Sequence, residues 1–190
     1  MREIRTIAIV GAGTAGGRIA EIAVLGGFRT ILEDILPASL RRAESEIRES
    51  LNVAVQTGFI VRADAGAAIA RLEFATSLED AAREADMVIE AVPDEFDSKE
   101  EIFRLLDRIC RPGTLLVASS LSIRVSDIAA ITERPADIVG VRFRRPDRSV
   151  ASIEVVPGCS TSEESLQAAL AAARRMTAEP VLVVEPAESE

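Results

Sequence analysis

The chain has 190 residues and a net charge of −9, and 48% of its residues are hydrophobic but only 3% aromatic. This length permits one domain with a buried core, which must be built mainly from aliphatic side chains. The acidic balance argues against nucleic acid and against a membrane surface as partners, and no apolar run reaches the roughly 18 residues of a membrane span.

The absence of histidine and tyrosine restricts the possible chemistry. The chain has no histidine and no tyrosine, and Lys99 is its only lysine. A His-based metal site and a Ser–His–Asp triad are therefore excluded, and we expect no metal. Arginine cannot act as a base at ordinary pH. Proton transfer would need a carboxylate, Lys99, a cysteine or bound water.

The compartment is predicted from the N-terminus and the cysteines. The N-terminus leads directly into a strand pattern, with no signal peptide. Cys110 and Cys159 lie far apart and form no CxxC motif. This usage is typical of a reducing environment, so we expect a cytoplasmic protein.

Short aliphatic strands alternate with helical patterns along the whole chain. In chain order, the sequence predicts strand 6–10, helix 15–25, strand 30–32, helix 38–56, a short helix at 63–71, strand 73–75, helix 78–83, strand 87–92 and helix 98–110. It then predicts strand 114–118, helix 126–131, strands 137–141 and 152–156, helix 163–176 and strand 181–184. Such alternation indicates an α/β fold with a mostly parallel sheet. The region 36–72 is too long for one crossover helix and is interpreted as a helical excursion between strands 2 and 3.

A glycine-rich turn follows the first predicted strand. In IAIVGAGTAGG, Gly11, Gly13 and Gly16 have G-x-G-x-x-G spacing, and Asp34 ends the second strand 18 residues after Gly16. A strand before the turn, a helix after it and a following acid together indicate a dinucleotide site. Asp34 would accept the ribose hydroxyls, and with Glu33 it would repel a 2′-phosphate, which favours NAD over NADP. The alternative is a glycine turn without a ligand.

The helix after this turn would supply the remaining phosphate contacts. Thr14 precedes and Ala15 begins the predicted helix, whose unpaired N–H groups and positive dipole end attract phosphate. Arg18 follows in the first helical turn. Its side chain either meets a phosphate or is simply solvated, and the sequence does not decide between the two.

Three segments resemble the NAD-binding domain of the 3-hydroxyacyl-CoA dehydrogenases, which include the 3-hydroxybutyryl-CoA enzymes of fatty acid metabolism. They are IAIVGAGTAGG, DMVIEAVPDEFDSKEEIF at 86–103 and SIEVVPG at 152–158. The resemblance implies a Rossmann-type, doubly wound sheet over residues 1–185, with 186–190 as a frayed tail. It also implies that Ala91, Val92, Asp94 and Lys99 contact NAD, the last two on the nicotinamide side. For Lys99 the alternative is an exposed helix lysine.

The serine loop of this family is altered here. Members carry Ser-Asn-Thr-Ser-Ser after the fifth strand, whereas this chain reads ASSLS at 118–122. A gapless alignment puts Leu121 in the place of the catalytic serine. Ser120 and Ser122 flank it and would substitute for it if the loop shifts.

The histidine of this family is also replaced. Members carry His-Phe-Phe-Asn-Pro after the sixth strand, whereas this chain reads RFRRP, with Arg142 for the histidine and Arg145 for the asparagine. Glu154 retains the position of the histidine's carboxylate partner, 12 residues after Arg142. We therefore expect an Arg142–Glu154 salt bridge and solvated side chains for Arg144, Arg145 and Arg148.

Three interpretations of function remain open. The cofactor positions match the family while the catalytic ones do not, which favours an NAD-binding protein that is catalytically degenerate. The alternative is an active oxidoreductase on a 3-hydroxyacyl-CoA or related hydroxy acid, with a non-histidine base or a partner chain completing the site. An arginine-lined site for another anion is the third. The family's C-terminal helical domain is expected to be absent, so a homo-oligomer or partner subunit would use another surface.

Overall fold

The computed structural model describes residues 2–120, 122–144, 152–177 and 180–183. Within these residues the strands are β1 (Thr6–Val10), β2 (Arg29–Glu33), β3 (Leu72–Ala75), β4 (Met87–Glu90), β5 (Leu115–Ser119), β6 (Ile138–Arg144), β7 (Ser152–Pro157) and β8 (Val181–Leu182). The helices are α1 (Thr14–Leu25), α2 (Pro37–Gln56), α3 (Arg62–Ile69), α4 (Leu78–Ala82), α5 (Phe96–Ile109), α6 (Val125–Ala130) and α7 (Glu163–Met176). A 3₁₀ turn spans Pro135–Asp137.

The strands form one sheet with the order β3-β2-β1-β4-β5-β6-β7-β8. The strands from β3 to β6 in this order are parallel, β7 is antiparallel to β6, and β8 is parallel to β7. The predicted doubly wound, mostly parallel fold is thus confirmed. The connections reverse direction between β1 and β4, and a crevice forms at such a point outside the carboxyl ends of the strands.

Each face of the sheet is covered by its own layer of helices. Along β1, Ile7 and Ile9 pack into a cluster with residues of α1, α2 and α7, whereas Ala8 and Val10 pack into a cluster with residues of α4, α5 and α6. This alternation is the two-residue period of a strand buried on both faces. No helix in the described ranges is long and apolar enough to cross a membrane.

The predicted helical excursion between strands 2 and 3 is confirmed as α2 and α3. Pro37 occupies the start of α2, where its missing N–H costs nothing. Gly58 follows the end of this helix with a φ of +74°, a conformation that glycine adopts readily.

The spacing of Ser77 with Asp80 and of Thr161 with Glu164 predicts two helix caps, of which the structure confirms the first and corrects the second. Ser77 caps α4 by accepting a hydrogen bond from the backbone N–H of Asp80 at 3.3 Å, as the sequence predicted. The cap of α7 is Ser162, which accepts from the N–H of Ser165 at 3.2 Å, rather than the predicted Thr161. Thr161 instead donates its hydroxyl to the Ile138 carbonyl at 2.6 Å.

The turn between β1 and α1 depends on two glycines in direct backbone contact. Gly11 has a φ of +100°, in the left-handed region that favours glycine. A Cβ placed on Gly16 would lie 1.8 Å from the carbonyl oxygen of Gly11. Any side chain at position 16 would therefore push the start of α1 away from the end of β1.

We expect Gly16→Ala to destabilise the chain by at least about 3 kcal/mol, because backbone rather than a flexible side chain blocks the added methyl group. Gly66→Ala is the matched control, since Gly66 lies in α3 with no atom within 4 Å of an added Cβ. This control should be neutral or stabilising by up to about 1 kcal/mol. Urea denaturation of both variants checks the prediction, which would be wrong if they had equal stability.

Candidate functional site

A cleft of about 570 Å³ opens at the carboxyl ends of β1, β4, β5 and β6. The sequence-predicted residues that line it are Gly13, Thr14, Ala15, Arg18, Ala91, Val92, Asp94, Ser120 and Arg142. The structure thus brings together residues from the glycine turn, the loops after β4 and β5, and the end of β6. Its apolar walls include Ile19, Val141 and Phe143, which the sequence did not single out.

The glycine-turn end of the cleft has the properties of a phosphate site. Gly13 is the N-cap residue of α1, no side chain in the described ranges caps this helix, and its first turn contains no acid. A Cβ on Gly13 would meet no atom within 4 Å, so the backbone here is open to a ligand. Helix N–H groups without a side-chain cap fit a pyrophosphate group.

Asp34 lies beside this turn and is held by two backbone donors. Its Oδ2 accepts from the N–H of Ala12 at 2.9 Å, and its Oδ1 accepts from the N–H of Leu36 at 2.9 Å. A carboxylate oxygen has a second lone pair, so both oxygens still have acceptor capacity for ribose hydroxyls. This geometry fits the predicted role of Asp34 in binding the adenosine ribose.

The position of Glu33 does not fit the prediction that Glu33 and Asp34 together repel a 2′-phosphate. Its side chain is only 3% exposed, because successive strand residues point to opposite faces of the sheet. Burial, together with a smaller effect of the nearby charge of Asp34, raises the pKa of Glu33 to about 7. Near neutral pH, the repulsion at this site therefore comes mainly from Asp34.

Lys99 is buried beneath the cleft, so its interpretation as an exposed helix lysine is wrong. Its ammonium group donates to both carboxylate oxygens of Glu90, at 2.8 and 2.7 Å, and to the carbonyl of Ser119 at 2.9 Å. Both charged side chains are completely inaccessible to solvent. Three donors thus have three acceptors, and Lys99 supports the ends of β4 and β5 without lining the cleft in this conformation.

The sequence analysis did not identify Glu90 as a functional residue. A charged residue that ends the apolar run MVI was the available signal, because a buried carboxylate requires a partner. The only lysine of the chain follows nine residues later and provides that partner. Glu90 also accepts from the N–H of Val92 at 2.7 Å, which fixes the start of the following loop.

Asp94 joins the loops after β4 and β5 through two serines. The hydroxyl of Ser120 donates to Asp94 Oδ1 at 2.6 Å, and that of Ser122 donates to Oδ2 at 2.9 Å. Lys99 Nζ lies 3.7 Å from the same carboxylate. The serines proposed as substitutes for a catalytic serine are therefore hydrogen-bonded to Asp94, while Leu121 lies outside the described residues.

The predicted Arg142–Glu154 ion pair is confirmed by the antiparallel register of β6 and β7. The two residues lie directly opposite each other, with Arg142 Nη1 3.8 Å from Glu154 Oε2. Arg142 lines the cleft, with 21% of its side chain exposed. The side chain of Arg144 and all of Arg145 and Arg148 lie outside the described residues, so their predicted solvation stays a prediction.

The fold and the glycine turn together define a dinucleotide-binding domain of the Rossmann type. Residues 6–186 match the family described as "3-hydroxyacyl-CoA dehydrogenase, NAD binding domain". The chain belongs to this family, and its cofactor is NAD. The chain-long resemblance inferred from the sequence is therefore confirmed.

Relatives and solved structures support the same assignment. The chain is 33% identical to a probable 3-hydroxybutyryl-CoA dehydrogenase of Bacillus subtilis over 92% of this chain and 60% of that protein. It is 34% identical to the 3-hydroxyadipyl-CoA dehydrogenase of Escherichia coli, over 88% of this chain and 35% of that protein. The crystal structure of (S)-3-hydroxybutyryl-CoA dehydrogenase from Ralstonia eutropha superposes with a TM-score of 0.91 and 29% identity, covering 97% of this chain and 65% of the other. The chain thus spans less than two thirds of the length of each of these proteins.

We expect Lys99→Met to cost about 3–5 kcal/mol of folding stability, because it leaves the carboxylate of Glu90 buried without a counter-charge. The double variant Lys99→Met, Glu90→Leu should recover most of this loss. Arg104→Met is the matched control, since it breaks an exposed ion pair with Glu100, and should cost less than about 1 kcal/mol. Urea denaturation measures all three, and equal losses for Lys99→Met and Arg104→Met would contradict the proposed role of the buried pair.

Proposed function

We propose that this chain is an NAD(H)-binding protein in which the proton-transfer chemistry of the family has been lost. The main support for this proposal is the Arg142–Glu154 ion pair, which occupies the positions where the family resemblance implies a histidine and its carboxylate partner. A guanidinium group stays protonated at any ordinary pH, so Arg142 cannot accept the proton that a histidine would take from a hydroxyl group.

The other candidate bases support this proposal, because each is engaged elsewhere. Lys99 is fully buried and bonded to Glu90. Glu154 faces Arg142, and Asp94 already accepts hydrogen bonds from Ser120 and Ser122. The cofactor positions around Gly13 and Asp34, in contrast, keep the open backbone and acceptor capacity that NAD requires.

One observation favours the alternative of an active NAD-dependent oxidoreductase. Asp94 lines the cleft with 35% of its side chain exposed, and Ser120 donates to it at 2.6 Å. In this alternative Ser120 would orient a substrate hydroxyl and Asp94 would accept its proton. The names of the relatives suggest a 3-hydroxyacyl-CoA as the substrate.

We also propose that the protein is located in the cytoplasm. Cys110 and Cys159 are both free thiols, one buried and one exposed. Unpaired cysteines support a reducing compartment. Burial raises the pKa of Cys110 to about 11, so this thiol is an unreactive core residue rather than a base or nucleophile.

The test is the oxidation of NADH by acetoacetyl-CoA, followed at 340 nm. We expect the unmodified chain to bind NADH without turnover, because the described groups that could exchange a proton with the substrate, Lys99, Glu154 and Asp94, are engaged elsewhere. Arg142→His would restore an imidazole opposite Glu154, and a general base typically contributes about 10²–10⁴-fold in rate. We therefore expect any measurable rate to appear only in this variant.

Asp94→Asn separates the two functions. If the unmodified chain turns over substrate, and Asp94→Asn loses this activity while still binding NADH, the proposed loss of catalysis is contradicted. Such a result would support the active oxidoreductase. Arg104→Gln serves as the control for a charge change outside the cleft, because Arg104 is exposed and paired with Glu100.

A further inference from the structure

The cleft extends well beyond the glycine turn. One end adjoins Gly13 at the start of α1, and the other adjoins Arg142 at the end of β6. In the sheet order, β1 and β6 are separated by β4 and β5. Three strand spacings amount to about 14 Å. A dinucleotide whose phosphates lie at the glycine turn therefore leaves the β6 end of the cleft for a second ligand.

Arg142 has hydrogen-bond donors available at this end. Its ion-pair partner Glu154 lies at 3.8 Å, beyond ordinary hydrogen-bond distance. Across the described ranges, the guanidinium of Arg142 makes no side-chain hydrogen bond, whereas that of Arg134 makes four. A guanidinium carries five N–H donors, so Arg142 keeps donor capacity for an acceptor on a ligand.

Asp94 does not compete for these donors. Its carboxylate oxygens accept from the hydroxyls of Ser120 and Ser122, and Lys99 lies 3.7 Å away. Among the described residues, Arg142 forms an ion pair with Glu154 alone. The β6 end of the cleft therefore presents a guanidinium that is held in place by one distant carboxylate but not saturated by it.

The surroundings of Arg142 restrict the ligand further. Val141 and Phe143 flank it and line the same cleft, so an apolar wall lies next to the charged group. A planar guanidinium binds a carboxylate through two parallel hydrogen bonds. A neutral thioester carbonyl would leave most of the donors unpaired, and a site built around such donors discriminates against ligands that cannot pair them.

We propose that the β6 end of this cleft binds the carboxylate of a short-chain hydroxy or oxo acid, with Arg142 as the specificity-determining residue. The free acid rather than its thioester would then be the preferred second ligand. The inference rests on the proposed function, because the same cleft would hold NAD(H) at its other end. It assigns to Arg142 a binding role in place of the proton transfer that an arginine cannot perform.

Calorimetric titration of the whole chain with 3-hydroxybutyrate, in the absence and presence of NADH, tests this proposal. Methyl 3-hydroxybutyrate has the same carbon skeleton without the charge. We expect the acid to bind at least about tenfold more tightly than the ester. Arg142→Gln should weaken binding of the acid by about 10- to 100-fold and so abolish this preference. Arg104→Gln, the exposed control, should change nothing.

A second variant keeps the proposal testable if Arg142→Gln fails to fold. Glu154→Gln removes the carboxylate that shares Arg142 and should tighten binding of the acid. The proposal would be overturned if acid and ester bound equally well, or if Arg142→Gln bound the acid as tightly as the unmodified chain does. Displacement of the acid by equimolar inorganic phosphate would also overturn it. Retained NADH binding without acid binding overturns this inference alone, whereas acid binding without NADH binding overturns the proposed function and leaves the carboxylate site standing.

Discussion

The contact between the Gly11 carbonyl and Gly16 is the constraint on which the cofactor site depends. It brings the first turn of α1 against the end of β1, because no side chain fits between them. The N-terminus of α1 consequently faces the crevice between β1 and β4. The phosphate site is thus made from backbone, and its geometry does not depend on which side chains occupy the far end of the cleft.

At the other end of the cleft, charged side chains rather than close backbone contacts hold the loops in place. The buried Lys99–Glu90 pair fixes the ends of β4 and β5, and Asp94 then joins the following loops through Ser120. Arg142 lies at the end of one further strand, β6. The proposed loss of proton transfer concerns this end of the cleft alone, so it is compatible with NAD binding at the glycine turn.

Much of this architecture could be predicted from the sequence, because hydrophobic periodicity and glycine spacing are local signals. These signals predicted a mostly parallel α/β sheet, the excursion of α2 and α3, and the turn at Gly11, and the family resemblance implied the doubly wound topology. Burial of individual charges was harder to predict, since it depends on which face of a strand or helix meets the core. For this reason the expected contribution of Glu33 was overestimated, the alternative of an exposed Lys99 was wrong, and Glu90 was missed although the apolar run before it was recognised. The predicted contact of Lys99 with NAD stays a prediction.

The central claim is that the glycine turn and Asp34 bind NAD(H) regardless of the altered residues at the other end of the cleft. Equilibrium titration of the chain with NADH and with NADPH, followed by nucleotide fluorescence, tests it most directly. We predict a dissociation constant on the order of micromolar for NADH, and binding of NADPH at least about tenfold weaker because Asp34 repels the 2′-phosphate. The absence of any response to NADH up to about millimolar concentration would contradict the account.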